Sequence, residues 1–445
     1  MPMSAMMSCR WLLPLAASVS SASAANEAEC GQPLLEFLHE LRTFGATGGG
    51  RFGFGVSRPA FSEDDMAARR WLVTRLEALG MEAAVDGAGH VFGRRKEHRD
   101  TPVLLLGSHS DSQREGGWLD GALGVAYAFT AAKALGGEAP LEVVSFQDEE
   151  GRFGVTPGSQ HFAHGAALWE LPDLHNRAGG LTYADAARLA NVTGEASSFE
   201  GRGPYLGFFE AHIEQGPRLE AAKQKIGVVE AVVGLGQYRI SFTGEQNHAG
   251  STPMASRKDA LAAALRTGAA VLDAVEAAAK SLDPEAVYGI NVVEVEGPNS
   301  ASVVPGRITL ILQFRSAQTG ALDAMAQAAQ GAAEAHNGRR GVAVEFAVDR
   351  ATLAPVQFQS SMVSDLATAA EASGHEFMRM TARAVHDASN LARKTPTVMM
   401  FVPSIGGISH SFEEHTEEAD LVVGCDVYVA AVRRMLRRWE TSSEL

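Results

Sequence analysis

The chain has 445 residues, of which 46% are hydrophobic and 20% charged, and it carries a formal net charge of −15. That length exceeds what one hydrophobic core usually holds, so two domains are expected. The acidic balance, with no Lys/Arg-rich run to offset it, excludes nucleic acid and anionic membrane surfaces as partners.

Residues 1–25 read as a secretory signal: Arg10, then the apolar Trp11-Leu12-Leu13-Pro14-Leu15-Ala16-Ala17, then Ala22-Ser23-Ala24 suited to cleavage. The competing reading is a disordered start, and without export the chain is cytoplasmic. No other apolar run nears the roughly 20 residues of a membrane span. In an exported chain Asn191-Val192-Thr193 is a glycosylation sequon. Cys9 would leave with the signal, so Cys30 and Cys425 remain, and a disulfide between them stays open. Amphipathic helices are predicted over 33–44 and 64–79, the second with Met66, Trp71, Leu72, Leu76 and Leu79 on one face and Gly80 as its stop. The glycine-rich residues 45–55 between them lack a Gly-Lys-Ser/Thr ending, so a flexible loop near a cleft is expected there instead of a phosphate loop.

Residues 101–106 and 141–146 predict buried strands around a helix at 123–135 that Gly136-Gly137 ends. Residues with metal-ligand chemistry follow each strand: His109 and Asp111 in GSHSD, Asp120 in GGWLDG, and Glu149 and Glu150 in QDEEGRFG. His109 and Asp111 are two apart, so on extended backbone they share a side, and the Asp111 carboxylate is expected to hold the imidazole from behind. Glu149 and Glu150 are adjacent and point apart, so one can bind metal while the other acts as general base. His212 follows the apolar 205–209, and His410 follows the strand-like 397–402. In open α/β sheets ligands collect outside the carboxyl ends of parallel strands, where His109, Glu149, Glu150, His212 and His410 fall. Two divalent ions (Zn, Mn, Co or Ni) bridged by Asp120 would use His109, Asp120 and His212 on one side and Asp120, Glu150 and His410 on the other.

From about 226 to 350 the pattern changes. Strands are predicted at 232–243, 287–295, 307–315 and 342–348, and helices at 256–279 and 321–336. That β-α-β-β-α-β order is the ferredoxin-like arrangement.

With these residues in view, the chain resembles, from about residue 34 to about 430, the carbamoylase branch of the co-catalytic metallopeptidases. The carriers are GSHSD, GGWLDG, QDEEGRFG, EAHIEQGPRLE, NHAGSTPMASRKDA, VVPG, HDASN and GGISHSFEEHT, in that order. The resemblance implies an α/β catalytic domain, formed by 26–225 and 351–445, with a mixed, mostly parallel sheet flanked by helices. Into it an α+β lid and dimerisation domain, 226–350, is inserted. The resemblance also implies that Glu149 is the base and Glu150 a metal ligand. His248 would come from the partner subunit of a homodimer to stabilise an oxyanion, and Arg315 would receive a substrate carboxylate. Gln215, Asn247, Ser302 and His386 complete the substrate-facing set. Ser302 and Gln313 stand where the family usually has Asn and Asp, which alters the carboxylate clamp.

The reading is a dimetal amidohydrolase that cleaves the N-carbamoyl (ureido) C–N bond of a small N-carbamoyl-L-amino acid through a metal-bound hydroxide. Allantoate or ureidoglycolate is the nearest alternative substrate, and a metallopeptidase or aminoacylase stands further off. A non-catalytic binding protein would show an eroded ligand set, and this set is complete. His161, His164, His175, His336 and His375 lack such company and read as surface or hydrogen-bonded residues.

Overall fold

Two apolar runs set the centre of the molecule. Strands β3 (Val103–His109) and β4 (Leu141–Phe146) are buried at every position, as expected of strands covered on both faces. The helix Ala122–Leu135 between them is buried from Ala122 through Ala132. The computed structural model describes residues 30–165 and 180–443; the signal-like residues 1–25, Cys9 and His175 lie outside the described residues.

Around this unit runs a nine-stranded mixed sheet. Its order is β1 (Glu82–Val85), β2 (Val91–Arg94), β4, β3, β5 (Tyr205–Ile213), β15 (Thr397–Val402), β6 (Ile226–Val232) and β13 (Val356–Gln357), with β14 (Phe377–Ala382) also paired to β6. The central run β4-β3-β5-β15 is parallel, and antiparallel pairs finish the edges. Helices Gln32–Leu41, Glu63–Glu77, Ser360–Ala372 and Glu418–Ser443 pack their apolar residues into the same core. Cys30 and Cys425, both buried, form a disulfide that joins the region before the first of these helices to the last. Among the described residues no helix is long and apolar enough to cross a membrane.

A second, four-stranded sheet is antiparallel in the order β12 (Ala343–Leu353), β7 (Gly234–Thr243), β11 (Arg307–Ser316), β9 (Val287–Glu296). Helices Ala260–Leu282 and Thr319–Glu334 cover it, and Ile240, Val271, Leu312, Phe314 and Met325 belong to its own core. The β-α-β-β-α-β order is as expected, with a short added pairing of β8 (Asn247–His248) and β10 (Val303–Val304).

Three expectations are corrected. Residues 226–232 form β6 of the large sheet, so the crossing to the small sheet falls at Val233, and the return falls at Ala354 and Pro355, not at 350. The helix expected from 256 starts at Ala260, because the Asp259 side chain caps it by accepting the Ala262 N–H at 2.8 Å. The glycine-rich loop is packed and not free: the Arg51 N–H donates to Glu413 Oε1 at 3.0 Å. At Gly50, with φ at 78°, a Cβ would lie 2.0 Å from the Phe412 carbonyl oxygen, so only glycine fits there.

Candidate metal centre

The strand ends bring the expected ligands together. Ligand atoms of His109, Asp120 and His212 lie within 4.8 Å of one another, and so do those of Asp120, Glu150 and His410. Asp120 belongs to both groups: Oδ1 is 3.5 Å from His109 Nε2 and 2.9 Å from His212 Nε2, while Oδ2 is 3.3 Å from His410 Nε2. Glu150 Oε2 is also 3.3 Å from His410 Nε2. His109 ends β3, Glu149 and Glu150 follow β4, His212 is the penultimate residue of β5, and His410 follows β15. Gly121 lets Asp120 approach: a Cβ there would lie 2.3 Å from His109 Nε2.

The donor set fits divalent cations. His109 Nδ1 lies 3.0 Å from the Asp111 carbonyl, and His212 Nδ1 lies 2.8 Å from the Ile213 carbonyl. A carbonyl only accepts, so each neutral ring carries its proton on Nδ1 and turns the Nε2 lone pair toward the cluster. His109 Nε2 is buried with no hydrogen-bond partner among the described residues. The carboxyls crowd one another. Burial first, then Asp120, pushes Glu150 up to about 7. Burial alone would lower His109, yet Glu149, Asp120 and Asp111 outweigh it and hold the imidazole well above its ordinary range. The hydrogen bond to Asp120 brings His410 up to about 9. A site that draws positive charge onto buried imidazoles, with oxygen and nitrogen donors converging, suits divalent metal ions.

Glu149 joins neither ligand group. Its Oε2 lies 3.7 Å from His109 Nε2 and it lines the main cleft, a cavity of about 870 Å³. Asp111 behaves differently from expectation: its backbone carbonyl holds the imidazole, while its Oδ1 stays 3.8 Å from His109 Nδ1 and its Oδ2 accepts the Glu150 N–H at 3.3 Å. Gln215, with φ at 56°, donates through Nε2 to Asp120 Oδ2 at 2.8 Å. His386 is buried with its ring centroid 4.5 Å from that of His212, and it lines the cleft. On the opposite wall Arg315 Nη1 donates to the Arg383 carbonyl at 2.7 Å and Nε to Gln313 Oε1 at 3.3 Å. Asn247, His248 and Ser302 are exposed at the β8–β10 pairing and are not among the described residues that line the cleft.

Sequence reasoning missed the groups that hold the ligands in place. Glu414 is buried and accepts the N–H groups of Leu119 and Asp120 at 3.1 and 3.0 Å, and Ser409 Oγ bridges Glu414 to Asp120. Gln113 Nε2 donates to Glu150 Oε2 at 2.8 Å. The signal for Glu414 was its place in the SFEEHT run, and for Gln113 its place two residues after Asp111.

The sequence profile of peptidase family M20/M25/M40 matches residues 105–434. The chain belongs to that family. Hydrolases of the M20 family use divalent metal ions. Among M20-type relatives, the allantoate amidohydrolase of Escherichia coli (strain K12) is 34% identical over 405 residues, covering 88% of this chain and 95% of that protein. The N-carbamoyl-L-amino-acid amidohydrolase of Paenarthrobacter aurescens is 31% identical over 410 residues, covering 90% and 97%. In solved structures the chain is similar to an amidase of the hydantoinase/carbamoylase family from Burkholderia phymatum, with a TM-score of 0.79, 39% identity and 91% and 97% coverage.

Proposed function

We propose that this chain is an amidohydrolase that cleaves the N-carbamoyl or ureido C–N bond of a small carboxylic acid, with an N-carbamoyl-L-amino acid as substrate. The observation that carries the reading is Asp120 shared between two ligand groups, with the uncommitted carboxyl of Glu149 beside them. His109, Asp120 and His212 would hold one divalent ion, and Asp120, Glu150 and His410 the other. Such ions, when bound, polarise a carbonyl and lower the pKa of water.

The chain's own groups account for the rest. Glu149 Oε2 takes the proton of the attacking water and returns it to the leaving nitrogen. Burial first, with Asp387, Glu150 and Asp120 adding to it against His109, raises the pKa of this carboxyl. Arg315 receives the substrate carboxylate with its planar fork. His386 and Gln215 shape the floor around the scissile group. We take the small sheet and its helices as a lid and dimerisation unit. The exposed His248 on β8 is read as serving the partner subunit's cleft, where it would stabilise the oxyanion.

The test is ammonia release by metal-loaded protein across N-carbamoyl-L-amino acids, allantoate and ureidoglycolate. Preference for carbamoyl amino acids supports the reading. Preference for allantoate or ureidoglycolate, which relatives' names make the alternative, keeps the chemistry and changes the substrate. The shared site is tested by mixing His248→Ala subunits with Glu149→Gln subunits: partial recovery of activity is expected, and verified mixed dimers that stay inactive would count against sharing.

A further inference from the structure

Away from the cleft, four arginines of the small-sheet unit line one cavity of about 240 Å³: Arg257, Arg266, Arg339 and Arg340. It lies between the first turns of helix Ala260–Leu282 and the turn at 338–342. Arg257 is half-buried and Arg266, Arg339 and Arg340 are exposed, and none of the four guanidiniums is held in an ion pair among the described residues. Asp259 also lines the cavity, but its Oδ1 is committed to capping the helix through the Ala262 N–H. In a chain of net charge −15, four cations around one concavity make a local positive field that attracts anions.

The buried polar atoms point the same way. Thr267 lines the cavity at 1% exposure, and its Oγ1 has no hydrogen-bond partner among the described residues. Arg257 Nε is likewise buried and unpartnered. A guanidinium has donors alone, and a hydroxyl can donate, so donors outnumber the acceptors of this wall, which are the Asp259 carboxylate and the His336 ring. Leaving buried donors unmade is costly, and an oxyanion in the cavity would satisfy them. A carboxylate has two oxygens and one charge, too few for this wall, whereas a phosphate group brings three terminal oxygens and close to two charges. Met254 and Val342 add apolar wall that an organic body can cover.

We propose that this cavity is a binding site for a phosphate group, carried either by free phosphate or by a small phosphomonoester. The site stands independently of the reaction assigned to the cleft. Its occupancy bears on the loop that follows His248, because Arg257 Nη2 also donates to the carbonyls of Ala249 and Thr252, at 2.5 and 3.1 Å.

Hydrogen–deuterium exchange of the metal-loaded enzyme, titrated with inorganic phosphate and separately with glycerol phosphate, tests it. Saturable protection is expected in segments 247–267 and 336–342, and it should vanish in the Arg266→Glu/Arg340→Glu variant. Thr267→Val, a near-isosteric change that keeps the charges, should weaken the apparent affinity by roughly tenfold, the scale of one hydrogen bond to a charged group. Tighter protection by the ester identifies an organic ligand, and equal protection identifies free phosphate. Protection confined to the segments around His109, Asp120 and His410, or protection of 247–267 that is unchanged in both variants, would overturn the proposal.

Discussion

The two walls of the cleft are made in different ways. On the wall formed by strand ends of the large sheet, His109, Asp120 and His212 are at most 5% exposed, and each is held by backbone or buried carboxylate partners. On the wall formed by the small sheet, Gln237, Gln313 and Arg315 are half-buried, Arg350 is exposed, and no carboxylate touches Arg315 among the described residues. Burial lowers the Arg315 pKa without any opposing acid, so that guanidinium is presented for an anion from outside the chain. One wall stores its charges in fixed pairs, and the other leaves its charge open. On the proposed reading, bond-breaking groups gain from the first arrangement and recognition groups from the second.

The largest test of this contrast is on the buried wall. Glu149→Gln should cost roughly 10²- to 10⁴-fold in turnover, the range for a lost general base, while metal analysis finds the ion content unchanged. Loss of metal together with activity would make Glu149 a ligand instead.

Next is acid sensitivity. Burial pushes His90, which accepts the Gln147 N–H at 3.0 Å, down to about 4. In the unfolded chain it titrates near 6.5. The folded state therefore binds the proton less well, so this stability is fully present above pH 6.5 and is lost as pH falls toward 4. The loss is on the order of 3 kcal/mol. Denaturant unfolding of His90→Gln should show a shallower fall in stability between pH 7 and pH 4.5 than the parent. Identical slopes would mean that other groups carry the effect.

Smaller effects separate the walls further. Glu414→Ala removes the acceptor of the Leu119 and Asp120 N–H groups, and metal affinity should drop by roughly 10- to 100-fold, as for other groups that orient ligands. An unaltered affinity in a metal-competition titration would show that Asp120 needs no such support. Arg315→Ala should raise KM by about tenfold with a lesser change in kcat, because the lost hydrogen bond to an anion holds substrate and transition state alike. A fall in kcat with KM unchanged would place Arg315 in the chemistry.

The gathering of the candidate ligands on one wall was legible in the sequence because each of them sits beside a run that can only be a buried strand or its helix. Val103 to Leu106 before His109 and Thr397 to Val402 before His410 announce their positions by being apolar throughout. The supports were not legible. A buried carboxylate such as Glu414 that accepts two backbone N–H groups looks, in sequence, like any acid in a loop. Asp111 was assigned the right neighbour and the wrong atom, since spacing says which side a residue faces but not whether its carbonyl or its carboxylate makes the bond. The boundary of the small sheet was set several residues early, because Ile226–Val232 and Gly234–Thr243 are apolar-rich strands with one residue between them. Nothing in composition tells them apart, and only their pairing partners do.

The bond between Cys30 and Cys425 closes the chain into a ring across a separation of 395 residues. His109, Asp120, Glu150 and His212 precede the small sheet in the chain, and His410 comes after it. A single backbone cut anywhere in the small sheet therefore opens the ring without setting His410 adrift from the other four. Such a nicked molecule stays one covalent particle until reductant is added, and it then runs as two fragments on a denaturing gel.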